Sequence, residues 1–187
     1  MRKLIIMLAE GFEEIEALTV VDVLRRADFI CDMVALKDLE VKGAHNIVVK
    51  SDKVITEGNF HEYDGVILPG GMPGTTNLRT DIRLIELVKE FYSSGKLVAA
   101  ICAAPTVLAK VGIINGKAVT SYPGVKDELE HSIYKEDLVV RDENILTSRG
   151  AGTALEFSYE ILNYFGEQEK SEELKEGMIY NLFKEKI

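Results

Sequence analysis

A chain of 187 residues, 47% of them hydrophobic, can bury one sizeable core and is read as a single domain over 1–187. Its net charge of -9, with no dense Lys/Arg cluster, argues against a surface that neutralises the phosphates of nucleic acid. No run approaches the ~20 apolar residues of a membrane span, and the short apolar start MRKLIIMLA meets the acidic EGFEEIE at once, so a buried first strand is expected in place of an export signal.

Lys3 to Ala9 is a continuous aliphatic run, the pattern of a strand buried on both faces of a parallel sheet. From Glu13 to Ala27 the period becomes helical, and Phe29 to Leu36 reads as the next strand. Val41 to Val54 reads as short extended pieces forming a hairpin or an edge. Asp64 to Leu68 is a strand that runs into the loop Pro69 to Gly74, too rich in Gly and Pro for a regular element. An amphipathic helix over Asp81 to Ser94 is expected to bury Ile82, Ile85, Val88 or Lys89, and Tyr92.

Leu97 to Ile101 is a strand, Cys102 follows, and a helix runs from about Ala103 to Val111 with Pro105 in its first turn. Ala118 to Thr120, Leu138 to Arg141 and Ile145 to Thr147 are further strands, and Thr153 to Phe165 is a helix. A charged helix over Ser171 to Lys186 would dock through Leu174, Met178 and Leu182 on the sheet or on a second subunit. Alternating strands and helices imply an α/β, flavodoxin-like three-layer sandwich with a mainly parallel sheet. Ligands bind such sheets beyond the strands' carboxyl ends, where Glu10 to Glu16, Gly70 to Gly74 and Cys102 converge.

Cys102 is the sharpest chemical signal, because a residue wedged between strand and helix start has its side chain displayed in a tight bend. The positive end of the following helix would favour its thiolate. The alternative is that free cysteine is often a small buried hydrophobe, the reading given to Cys31. Two cysteines are too few for a disulfide framework, so both are expected free in a reducing cytoplasm. Gly70 and Gly71 allow close backbone approach, and their N–H groups with that of Ala103 could stabilise an oxyanion.

Glu13, Glu14 and Glu16 crowd the first helix start, where carboxylates favour the dipole. Glu16 heads the apolar line Val20, Val23, Ala27, and Glu13 a similar line through Ala17, Val20 and Leu24, so periodicity does not choose the inward one. A carboxyl buried beside a thiolate would tend to keep its proton. His45, His61 and His131 show no metal-face spacing, so no metal is expected, and glycine motifs for nucleotide cofactors are missing.

AEGFEEIEALTVVDVLRRA, VILPGGMPGTTNL, AAICAAPTVLA and ILTSRGAGTALEF together resemble the ThiJ/PfpI superfamily, and within it the branch containing the Parkinson-disease protein deglycase. The resemblance runs from the first strand to about Phe165. It implies a cysteine nucleophile at Cys102, a hydrogen-bonding carboxylic acid at Glu16, and backbone donors at Gly71 and Ala103. It also implies a homodimer and a basic pocket residue at Arg26, with His45 standing where some relatives carry arginine. Relatives often place a histidine near the cysteine, where this chain has Tyr122.

What the resemblance implies is cysteine-dependent, cofactor-free turnover of methylglyoxal-like α-oxoaldehydes or their protein adducts, with a small reactive carbonyl compound as partner. The competing reading is a redox sensor or stress-protective chaperone that works by oxidation of Cys102. An amidase or peptidase fits less well, because the peptidase-like branch carries histidine where Ala103 stands. No residue supports the thiazole or thiamine chemistry that such chains are sometimes labelled with.

Overall fold

The computed structural model describes residues 1–184, with side chains as far as Leu182. Its strands are β1 (Lys3–Leu8), β2 (Ile30–Ala35), β3 (Glu40–Lys42), β4 (Val48–Lys50), β5 (Lys53–Val54), β6 (Gly65–Leu68), β7 (Leu97–Ile101), β8 (Ala118–Val119), β9 (Ile133–Tyr134), β10 (Val139–Asp142) and β11 (Ile145–Ser148). Its helices are α1 (Glu14–Arg26), α2 (Gly74–Thr80), α3 (Ile82–Ser93), α4 (Pro105–Val111), α5 (Ala154–Tyr164), α6 (Gln168–Gly177) and α7 (Tyr180–Lys184).

Seven strands form the central sheet in the order β10-β11-β7-β6-β1-β2-β5, parallel except for β10 against β11. The period of two sorts β1 between layers: Leu4, Ile6 and Leu8 face α1 and α5, whereas Ile5 and Met7 face α3 and α4. Both faces are covered, which is why the strand reads as unbroken hydrocarbon. The chain steps from β1 to β2 on one side and then to β6 on the other. The order therefore reverses at the β1/β6 boundary, where such sheets open a crevice at their carboxyl edge.

Several local expectations change. The 41–54 stretch supplies both alternatives, a β3/β4 hairpin and β5 at the sheet edge. Helix α2 lies where no helix was expected, because GTTNLRT offers only Leu78 as a fully apolar inward residue. Helix α3 buries Leu84, Ile85, Val88 and Phe91 and leaves Ile82 65% exposed, a rotation of the expected face. Strand β8 stays off the main sheet and pairs with β9.

The charged C-terminal stretch breaks into α6 and α7 at Ile179, whose φ of 63° is unfavourable for a β-branched residue. Leu174 and Met178 pack on the core as expected, but Leu182 is half exposed; residues 185 and 186 of the expected helix lie outside the described residues. No helix among the described residues is long and apolar enough to cross a membrane.

Candidate functional site

Three loops meet above the β1/β6 crevice: the start of α1, the turn after β6, and the turn after β7. Cys102 occupies the last of these with φ 63°, a left-handed conformation rare for a residue with a side chain. Two backbone bonds hold it there. Its N–H donates to the Ser148 carbonyl at 3.0 Å, and its own carbonyl accepts from the Tyr122 N–H at 2.9 Å. The bend leaves the thiol partly exposed, whereas Cys31 is buried within β2.

Glu16, in the first turn of α1, is 1% exposed. Its Oε2 accepts the Gly70 N–H at 2.8 Å, and its side chain hydrogen-bonds Cys102. The inward orientation that periodicity left undecided belongs to Glu16, while Glu13 is half-buried at the rim. Gly70 is glycine for a steric reason: a Cβ there would lie 2.7 Å from both Cys102 Cβ and Glu16 Oε2. At Gly71 the backbone itself demands glycine, with φ at 90° and a Cβ that would meet the Glu13 nitrogen at 2.3 Å.

Burial drives the electrostatics. Desolvation raises the Glu16 carboxyl to about 7, against the hydrogen bonds from Gly70 and Cys102 that favour its charged form. Desolvation also pushes the Cys102 thiol up to about 12, followed by the charge of Glu16 and its hydrogen bond, with the Ala103 N–H pulling downward. The two groups therefore do not ionise together. A proton on Glu16 removes its repulsion of a thiolate and provides a donor to it, whereas a charged Glu16 opposes ionisation of the sulfur.

This corrects the expectation that a helix dipole sets the thiol. Helix α4 begins only at Pro105 and is one seven-residue stretch, so the control lies with Glu16 and the Ala103 N–H.

Cys102 stands between two cavities. One, of about 300 Å³, is walled by Gly71, Met72, Thr75, Tyr122 and Val125, with the Arg79–Glu128 ion pair at its side. The other is an open recess of about 660 Å³ that includes Glu13, Glu16, His45, Tyr122 and Arg149. Tyr122, 54% exposed, lines both, so it occupies the flank of the sulfur. Thr75, Arg79 and Arg149 were not singled out from the sequence. The first two ride on the unexpected α2, and Arg149 is brought in by the pairing of Ser148 with Ile101.

Arg26 does not join the site within one chain. It lies ten residues along α1 from Glu16, about 15 Å of helix rise, and its Nε pairs with Asp22 at 2.7 Å. His45 does join, and not as an isolated side chain. Its backbone N–H and its Nδ1 both lie 2.8 Å from Glu14 oxygens, with Glu13 Oε1 3.7 Å from Nδ1. Burial alone would raise Glu14, but the hydrogen bonds from His45 hold it low, and the same bond raises His45. The donor atoms of Glu13, Glu14 and His45 lie within 4.8 Å of one another, yet both Glu14 oxygens are already engaged by His45.

A parallel flavodoxin-like sheet with a strained cysteine elbow, a buried carboxyl against the sulfur and a glycine pair beside them defines an α/β protein of the nucleophile-elbow class. Comparison with known proteins narrows it: residues 2–164 match the DJ-1/PfpI family, and the chain belongs to that family. It is 38% identical to protein dj-1beta of Drosophila melanogaster, covering 94% of this chain and 95% of that protein. It is 35% identical to the Parkinson disease protein 7 homolog of Danio rerio, covering 95% and 97%. The crystal structure of the Drosophila DJ-1beta superposes with a TM-score of 0.92 over 95% of this chain and 97% of that one. An oxidised Toxoplasma gondii DJ-1 gives 0.92 at 30% identity, over 96% and 98%.

Proposed function

We propose that the protein is a cofactor-free enzyme that converts α-oxoaldehydes such as methylglyoxal, free or as protein adducts, into 2-hydroxy acids. The observation that carries this reading is the Cys102 sulfur at the junction of two cavities with the Glu16 carboxyl against it, raised to about 7 and so available as acid and as base. The thiol adds to the aldehyde carbon, forming the S–C bond, and its proton passes to the carbonyl oxygen to give a hemithioacetal. Glu16 as carboxylate removes the proton from that carbon and returns it to the neighbouring one, which leaves the thioester of a 2-hydroxy acid. Water then cleaves the S–C bond, releases the acid and restores the thiol, so aldehyde plus water gives hydroxy acid with no external oxidant. This reading assigns the developing oxyanion to the Ala103 N–H, which already bonds the sulfur, and to the backbone of Gly71 at the cavity wall.

The test is lactate formation from methylglyoxal by the wild type and Cys102→Ser. Activity confined to the wild type supports the reading, and equal rates remove Cys102 from the chemistry.

A second reading is favoured by the relative that was solved in an oxidised form: Cys102 as a peroxide-sensing thiol whose sulfinate accepts hydrogen bonds from Glu16 and Ala103. Oxidation of Cys102 by mild peroxide, without aldehyde turnover, would select it. In either case we propose a homodimer in the cytoplasm, with the exposed Ile15, Ile47 and Val48 covered by a second copy. Light scattering at micromolar concentration reads the stoichiometry.

A further inference from the structure

We infer that Arg149 is an anion anchor of this site, and that the α-oxoaldehydes it favours carry a carboxylate at the end remote from the aldehyde. The inference rests on the aldehyde-processing reading above. Arg149 lines the open recess together with Cys102, Glu16 and Tyr122. Among the described residues its guanidinium meets no carboxylate; it donates from Nη1 to the Glu136 carbonyl at 2.8 Å. The remaining arginines are committed elsewhere. Arg2, Arg25, Arg26, Arg79 and Arg83 each pair with a carboxylate, and Arg141 stacks over Tyr164.

A guanidinium with donors to spare takes a carboxylate in two-pronged fashion, from a residue that is itself half-buried at the wall of the recess. His45, the other cationic candidate in the recess, is held by Glu14 at 2.8 Å and faces Glu13. An incoming anion is therefore drawn to the Arg149 side, away from the acidic start of α1. Space agrees with a substrate longer than methylglyoxal: the recess, about 660 Å³, is on the order of twenty times the ~30 Å³ share of one water molecule. Tyr122 and Leu138 supply apolar wall for whatever joins the two ends.

The decisive comparison uses phenylglyoxal and 4-carboxyphenylglyoxal, which differ only in the remote carboxylate. Wild-type kcat/KM should favour the carboxylated compound about tenfold or more, chiefly through KM, and Arg149→Gln should bring the ratio to within about twofold of one. Arg149→Lys, which keeps the charge and loses the fork, should fall between and guards against a folding defect, monitored by thermal melting.

A binding arm separates this inference from the activity it rests on. Cys102→Ser, unable to form the hemithioacetal, is titrated with 4-(hydroxymethyl)benzoate and benzyl alcohol. Tighter binding of the benzoate that disappears in Cys102→Ser/Arg149→Gln supports the anchor, even where the wild type turns over neither aldehyde and the proposed activity falls. An equal substrate ratio in wild type and Arg149→Gln, or equal binding of the two alcohols to Cys102→Ser, overturns the anchor.

Discussion

Gly70 reaches from the turn after β6 to donate its N–H to Glu16 Oε2 at 2.8 Å, and this is the only backbone support the buried carboxyl receives in the described hydrogen bonds. It is not enough to keep Glu16 charged, because burial raises it from the ordinary 4.5 to about 7. The folded chain thus holds this proton more tightly than the unfolded chain. The associated stability is fully present below about pH 4.5, declines as pH rises, and is lost above about 7. Its size is roughly 3 kcal/mol by the usual conversion of about 1.4 kcal/mol per pKa unit. Glu16→Gln, neutral at every pH, should show a flatter dependence and exceed the wild type at pH 8. Urea denaturation of both proteins at pH 5 and pH 8 checks this, and parallel curves would remove Glu16 as the titrating group.

Coupling between Glu16 and Cys102 predicts an unusual reactivity profile. The pair loses its first proton near 7, chiefly from Glu16, and the second only toward 12, chiefly from Cys102. Alkylation of Cys102 by iodoacetamide should therefore stay slow through neutral pH and climb only in strong base. Glu16→Gln removes the partner charge and should move that climb to lower pH. The same profile in both proteins would mean that the two groups titrate independently.

The cradle around the pair is tight enough to fail on one methyl group. A Cβ at Gly70 would lie 2.7 Å from Glu16 Oε2 and from Cys102 Cβ, and 3.2 Å from the Ala103 nitrogen. Backbone conformation is not at issue there, so Gly70→Ala isolates the crowding. We expect at least a tenfold loss of Cys102-dependent turnover with about 1–3 kcal/mol of destabilisation from overpacking. Steady-state kinetics beside a melting curve would read both, and wild-type activity in a folded Gly70→Ala protein would show that the pair tolerates displacement.

Much of this arrangement is legible in the residues themselves, and what is not has a physical reason. The aliphatic run of β1 announces a strand buried on both faces, and the elbow is visible because Cys102 sits between five apolar residues and Pro105. Glu16 is different. Two apolar lines on α1 fit equally well, and only the family resemblance separates it from Glu13. Arg149 is invisible because its approach to Cys102 depends on β11 pairing with β7, a contact between distant parts of the chain that no local period encodes. Helix α2 escapes for want of apolar repeats in its seven residues. The break between α6 and α7 had one local signal, Gly177, set within a charge pattern that otherwise reads as continuous helix.

The two cysteines allow a sharp internal comparison, since both are free and they differ only in surroundings. Cys31 lies in β2, 1% exposed, and burial raises its thiol to about 12 against the pull of Arg25. Its fate is to stay protonated and out of reach of any oxidant in solution. Cys102 also starts from a raised thiol, but it is partly exposed, and a proton on Glu16 turns the strongest charge opposing its ionisation into a donor. Mild peroxide should thus add oxygen at Cys102 and leave Cys31 intact while the protein remains folded. In Glu16→Gln the donor becomes a neutral amide, so the yield of Cys102 sulfinate should change severalfold with Cys31 still unmodified. Intact-mass and peptide mass spectrometry across a peroxide series measures both sites at once. Comparable oxidation of Cys31 and Cys102 in native protein would show that exposure and the Glu16 proton do not govern the sulfur chemistry.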